Sequence, residues 1–221
     1  MARLTYRGVS VIDHPRRAGM RRAATLFLLL VAACGNARAQ YQPQSGDIVF
    51  QTSRSSQSLA VQRATRSPYS HMGIVFVREG KPFVFEAVQP VKLTPLSTWT
   101  ARGEGGRFVA KRLRAASAVL TPENLRKLEA EGMRFKGKNY DPYFEWSDDR
   151  IYCSELVWKM YKRALDIEIG HTQRLREFDL SDPAVKAKIR ERWRGAPPAD
   201  EAVISPAAIF GSTSLVTVFP P

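Results

Sequence analysis

The sequence predicts an α+β fold in which a central antiparallel sheet, or a small barrel, packs against one amphipathic helix. Two observations predict it. Apolar runs at 72–77 and 83–88 flank the segment Arg78-Glu79-Gly80-Lys81-Pro82, the pattern of a β-hairpin, and both faces of each run are apolar, which places the pair centrally in a sheet. From about Asp148 to Leu165, the residues Ile151, Val157, Met160, Tyr161, Ala164 and Leu165 trace one stripe at helical spacing.

The remaining elements follow along the chain. After a polar lead-in at 40–45, residues 46–50 form a short strand entered by a turn. The polar stretch 51–70 contains Ser53, Ser55, Ser56 and Ser58, with a helical turn around 58–66; it is either a wall of a substrate cleft or a solvated loop. Strands are expected at 91–93 and 107–113, separated by a Gly-rich loop at 103–106. Thr121-Pro122-Glu123 starts a helix, with Thr as N-cap and Pro in the first turn; Leu125, Leu128 and Met133 fall near helical spacing, and the helix ends close to Gly137. A more polar helix starts at Ser181 or Asp182 and reaches Trp193. Gly195-Ala196-Pro197-Pro198 then breaks the chain, and 202–205 and 215–219 return as short strands. The sequence has no internal repeats, P-loop or dinucleotide glycine fingerprint.

With 221 residues, 44% of them hydrophobic and 25% charged, the chain can bury one sizeable core. The first 39 residues are set apart. Arg16, Arg17, Arg21 and Arg22 precede an apolar run at 23–33 and then small residues, the layout of a secretory signal; the run is too short for a stable membrane span. Met20 would give a signal of ordinary length, which makes residues 1–19 a mis-annotated start. Two cleavage readings compete. Ala37-Arg38-Ala39 before Gln40 is a small-x-small site, and Val31-Ala32-Ala33-Cys34 resembles a lipobox cut and acylated at Cys34. The favoured reading is cleavage after Ala39, leaving a single domain at 40–221, exported to the periplasm or cell envelope. Cleavage removes seven basic residues and one acid, so the formal charge falls from +13 to +7. The remaining basic residues show no interleave with aromatics that would track nucleic acid; an anionic envelope surface is a weaker alternative partner.

After cleavage the chain keeps one cysteine, Cys153, so it carries no internal disulfide. The spacing puts Cys153 about one turn inside its helix, where the dipole favours an ionised nucleophile; Val157 and Met160 on the same face turn the sulfur toward the packed side. Two histidines remain as its base, His71 and His171. His71 stands at the mouth of a central strand and is preferred over His171, which follows Gly170 in a loop. Glu86 lies in the partner strand of the same hairpin. For an even-numbered hairpin loop, paired positions sum to an odd number; 71 and 86 sum to 157, so the two side chains share a face and Glu86 can orient the ring. Tyr152, Tyr140 and Asp141 are second-rank candidates for oxyanion stabilisation or substrate positioning, with packing as the competing role. Glu155 points to another face and is expected to cap or pair. One Cys and two His in unrelated contexts do not form a metal-ligand cluster, and no cofactor is implied.

At these residues the sequence resembles a known family. Gly46-Asp47-Ile48-Val49-Phe50, Ser70-His71-Met72-Gly73-Ile74, Phe85-Glu86-Ala87 and Tyr152-Cys153-Ser154-Glu155-Leu156-Val157 resemble the YiiX-type, permuted papain-like members of the NlpC/P60 superfamily; Tyr140-Asp141 and Ile204-Ser205-Pro206 extend the match. The resemblance implies a circularly permuted papain-like core, with the His strand before the Cys helix, and a Cys153, His71 and Glu86 triad acting on amide bonds through an acyl-enzyme. The expected substrate is a small peptide, an N-acyl amine or a cell-wall fragment. An acyltransferase or lipid-directed esterase using the same site is the nearest alternative, and a degenerate envelope ligand-binding protein is a third. Neither residues nor resemblance specify an oligomeric state.

Overall fold

The computed structural model describes residues 40–220. The segment 1–39 expected to be a signal, with Met20 and Cys34, lies outside the described residues. In chain order the elements are β1 (Ile48–Gln51), α1 (Ser56–Thr65), β2 (His71–Arg78), β3 (Lys81–Glu86), β4 (Lys92–Pro95), α2 (Leu96–Arg102), β5 (Val109–Leu113), α3 (Ala116–Val119) and α4 (Pro122–Met133). There follow β6 (Asn139–Tyr140), β7 (Arg150–Ile151), α5 (Cys153–Leu165), β8 (Gln173–Arg174), α6 (Pro183–Arg192), β9 (Ala202–Val203), α7 (Pro206–Phe210) and β10 (Leu215–Phe219). Among the described residues no helix is long and apolar enough to cross a membrane.

The fold is α+β around an open sheet of order β10-β5-β1-β2-β3-β4, antiparallel throughout. The expected hairpin is its centre. Glu79 and Gly80 both take positive φ, as a two-residue turn needs if it is to follow the strand twist, and Arg78 pairs with Lys81. One face of the sheet, with Ile48, Phe50, Met72, Ile74 and Phe85, packs on Leu156, Val157, Met160 and Tyr161 of α5. Those four α5 side chains are fully buried, each stabilising the fold by about 1.5–3 kcal/mol. The other face, with Val49, Val75, Val84 and Ala110, is covered by Leu96 and Trp99 of α2. Asp47 of the Gly-Asp motif is structural: fully buried, it accepts from Arg112 Nε at 2.6 Å and from the Tyr41 hydroxyl at 2.7 Å.

Several boundaries differ from expectation. The helix that carries Cys153 starts at that residue, not near Asp148, because Arg150–Ile151 is drawn into parallel pairing with Asn139–Tyr140. Asp148 does not cap; it is taken by Lys159 at 2.9 Å and by Arg163 at 2.6 Å. Cys153 is therefore the first residue of α5 and not one turn inside it. The turn around 58–66 extends to a helix of 10 residues, α1, capped by Ser55. Short helices α2 and α7 form where the sequence pattern assigned no element.

Candidate active site

His71 opens β2, and Glu86 closes β3, so both stand where their strands run out. The register pairs Ile74 with Phe85 and Val75 with Val84, a sum of 159 where direct pairing of His71 with Glu86 would need 157. Glu86 thus reaches His71 diagonally, on the shared face. That diagonal passes over Gly73, where a Cβ would come within 2.5 Å of Val84 Cγ1 and 3.3 Å of Glu86 Cβ. A side chain at 73 would push the carboxylate off its line, so glycine is required here by close approach.

Glu86 is fully buried, yet it is furnished with donors. Oε2 lies 2.6 Å from His71 Nε2, and Oε1 accepts from the Thr94 hydroxyl at 2.5 Å and from Arg102 Nη2. Burial works to raise its pKa, but the bonds to His71 and Thr94 and the Arg102 charge outweigh it and hold the carboxyl below its usual range. With Nε2 on Glu86, Nδ1 is the ring nitrogen left to serve Cys153, whose proximity acts on the titration of His71. Burial alone would lower the imidazolium; the bonds to Cys153 and Glu86, and their negative charge, reverse this and push its pKa from 6.5 up to about 9. The His71 ring also stacks on Trp99, centroids 6.1 Å apart.

Cys153 is a buried free thiol at the N-terminus of α5. As the first helical residue its amide has no intrahelical acceptor, so the thiol sits beside an available backbone donor. Glu155 Oε2 caps the preceding Tyr152 amide at 3.4 Å, and Lys159 Nζ lies 2.6 Å from Glu155 Oε1, off the line of a hydrogen bond. The expectation that Glu155 caps or pairs describes this arrangement.

The second-rank candidates separate. The Tyr152 hydroxyl accepts from the Ile204 amide at 3.2 Å in the core, and Asp141 accepts from the amides of Tyr143 and Glu145, organising a turn. Tyr140 alone faces the cleft, its hydroxyl held by Gln57 Nε2 at 2.8 Å. His171 is exposed in its loop and takes no part in these contacts.

Two cavities meet at this point. An open cleft of about 710 Å³ is lined by His71, Gln57, Tyr140, Arg102 and Arg192. Behind Cys153 lies a chamber of about 90 Å³ with walls that include Ala60, Val61, Phe144, Leu175, Ile189 and Ile204. Gln57, Ser70, Tyr140 and Arg192 line both. Gln57, Thr94, Arg102 and Arg192 were not singled out from sequence. Thr94 and Arg102 acquire meaning only through the β3–β4 register and α2. Gln57 lay in the polar stretch already considered as a cleft wall.

Over residues 42–219 the chain matches the family described as permuted papain-like amidase enzyme, YaeF/YiiX, C92 family. It belongs to that family, and its arrangement of sheet and helix is the permuted papain-like one. A relative named "uncharacterized protein YiiX", from Escherichia coli (strain K12), is 52% identical over 178 residues, covering 80% of this chain and 87% of that protein. The solved structure titled "metalloprotein yiiX", from Escherichia coli O157:H7, is 51% identical with a TM-score of 0.77, covering 81% of this chain and 100% of that one. Among the described residues here, no group of three or more His, Cys, Asp and Glu side chains is disposed to hold a metal ion. At the site itself Glu86 is committed to His71, Thr94 and Arg102, which leaves Cys153 and one nitrogen of His71 as donors, too few for a resident metal centre.

Proposed function

We propose that the protein is an exported cell-envelope hydrolase that cleaves an amide bond, peptide or N-acyl, through a Cys153, His71 and Glu86 triad. The observation that carries this reading is the fully buried Glu86 with Oε2 2.6 Å from His71 Nε2, in a ring whose titration also responds to the Cys153 thiol. His71 takes the Cys153 proton, and the thiolate attacks the amide carbonyl carbon. The tetrahedral adduct collapses, the C–N bond breaks, and the amine leaves with the proton from His71. Water, deprotonated by His71, then hydrolyses the thioester. Glu86 stays ionised throughout, orienting the ring and stabilising its charged form.

The apolar chamber behind Cys153 supports a hydrophobic acyl side, and the open cleft a polar leaving group. The same chamber supports a second reading, acyl transfer from a lipid to an acceptor other than water. Incubating the protein with envelope lipid and cell-wall extracts, then quenching in acid and mapping the adduct by mass spectrometry, tests both. An acyl group on Cys153 that disappears in His71→Ala but persists in His171→Ala is the expected result. An adduct elsewhere, or dependence on His171, overturns the assignment. Free acid or an acylated amine, when an amine acceptor is supplied, distinguishes hydrolysis from transfer.

A further inference from the structure

At the junction of chamber and cleft, three polar side chains from three elements form a chain with a defined direction. Arg192, the last residue of α6, gives a hydrogen bond from Nη2 to Gln57 Oε1 at 2.6 Å and from Nη1 to the Pro142 carbonyl at 2.6 Å. Gln57, in the first turn of α1, gives a hydrogen bond from Nε2 to the Tyr140 hydroxyl at 2.8 Å. A guanidinium has donors only, so its partner on Gln57 must be the amide oxygen, and the amide nitrogen is then the group that faces Tyr140. The Tyr140 oxygen therefore accepts, and its own proton is left for another partner. Among the described residues no acceptor takes that proton. Nor does any carboxylate pair with Arg192 among them, so a half-buried positive charge is spent on a neutral amide and a backbone carbonyl.

Tyr140 and Cys153 line the same chamber, and Tyr140 and His71 the same cleft, so the phenol shares its space with both. Burial, and beyond it the negative charge at Cys153, keeps the Tyr140 phenol protonated well above its usual range. We propose that Gln57 and Arg192 are positioning residues that fix the Tyr140 hydroxyl as a donor to the carbonyl oxygen of the acyl group under attack by Cys153. The inference rests on the hydrolase reading above. When the carbon–sulfur bond forms, the carbonyl electron pair moves to oxygen; Tyr140 O–H donates to that oxygen without giving up its proton, alongside the Cys153 amide. When the adduct collapses the pair returns to the carbonyl. Arg192 polarises the Gln57 amide, which strengthens its bond to Tyr140 and with it the acidity of the phenol proton as a donor.

The direction of the chain supplies the test. Gln57→Glu keeps the size of the side chain and its bond to Arg192, but both its oxygens are acceptors, so the phenol proton turns back onto it. Gln57→Met removes both bonds and leaves the phenol proton free. With para-nitrophenyl octanoate as the probe, kcat for Gln57→Glu is expected to fall about 100-fold, the loss typical of one oxyanion donor, with KM within about threefold. Tyr140→Phe should lose the same amount, and combining it with Gln57→Glu should lose no more. Gln57→Met should retain more activity than Gln57→Glu. A merely structural Gln57 would give the opposite order, since Glu preserves the tie to Arg192; that order, or losses that multiply in the double variant, overturns the proposal. Acylation of Cys153 is followed by mass in each case. Wild type that acylates Cys153 while Gln57→Glu runs at full rate removes this inference alone, whereas wild type that never acylates Cys153 removes the hydrolase reading and the inference with it.

Discussion

Two glutamates, Glu86 and Glu155, are both fully buried beside a cation, and they end in opposite charge states. Glu86 receives His71, Thr94 and Arg102 on its two oxygens, and its pKa lies below the ordinary value. Glu155 has the Tyr152 amide at a long 3.4 Å and Lys159 off the hydrogen-bond line, while Lys159 itself is shared with Asp148 and the Ser147 carbonyl. Burial prevails there, against the opposing pull of Lys159, and the Glu155 pKa is pushed up to about 8. Burial is common to both sites, so the number and alignment of donors decide which carboxylate stays charged. The ionised one stands behind His71. The other secures the helix that presents the thiol.

The comparison breaks most visibly at Glu86. Glu86→Gln keeps the shape but removes the charge that supports the imidazolium, and its NH₂ group must face one of the donors that now converge on the carboxylate. Turnover should fall by about 100-fold or more in a folded protein, the scale of losing an electrostatic element of a triad, as steady-state assays of both proteins would measure. Full activity would reduce the triad to a Cys153 and His71 pair and return Glu86 to a structural role.

A smaller effect is expected at Glu155. Its folded pKa of about 8 lies above the ordinary 4.5, so its contribution to stability is fully present below pH 4.5 and is lost as pH rises through about 8. Glu155→Gln lacks this component. Melting temperatures recorded against pH should therefore show wild type losing ground to the variant between pH 4.5 and 8, with turnover changed by no more than a few fold. Parallel stability curves would mean that Glu155 is ionised like Glu86, and the contrast between the two would collapse.

Much of this site was legible in the sequence. The Cys153 block, a histidine at a strand mouth and an acid in the partner strand specified the three residues, and the odd sum of 71 and 86 placed two of them on one face. The offset of two positions was not legible, because the 78–82 segment did not show where the turn closes; the positive φ at Glu79 and Gly80 settles it. The helix was expected to begin near Asp148, but Asp148 is engaged by Lys159 and Arg163, 11 and 15 residues away, which local pattern cannot reveal. Arg102, Arg192 and Gln57 were missed for the same reason. Each matters through a partner from a distant element, and none carries a recognisable spacing of its own.

The placement of His71 between Cys153 and Glu86 can be tested without knowing any substrate. In ¹⁵N-labelled protein, the imidazole nitrogens of His71 report its titration by NMR. Between pH 5 and 10 a midpoint near 9 is expected in wild type, displaced downward in both Cys153→Ala and Glu86→Gln because each removes one of the two groups that raise it. A wild-type midpoint near the ordinary 6.5, unmoved by either substitution, would contradict it.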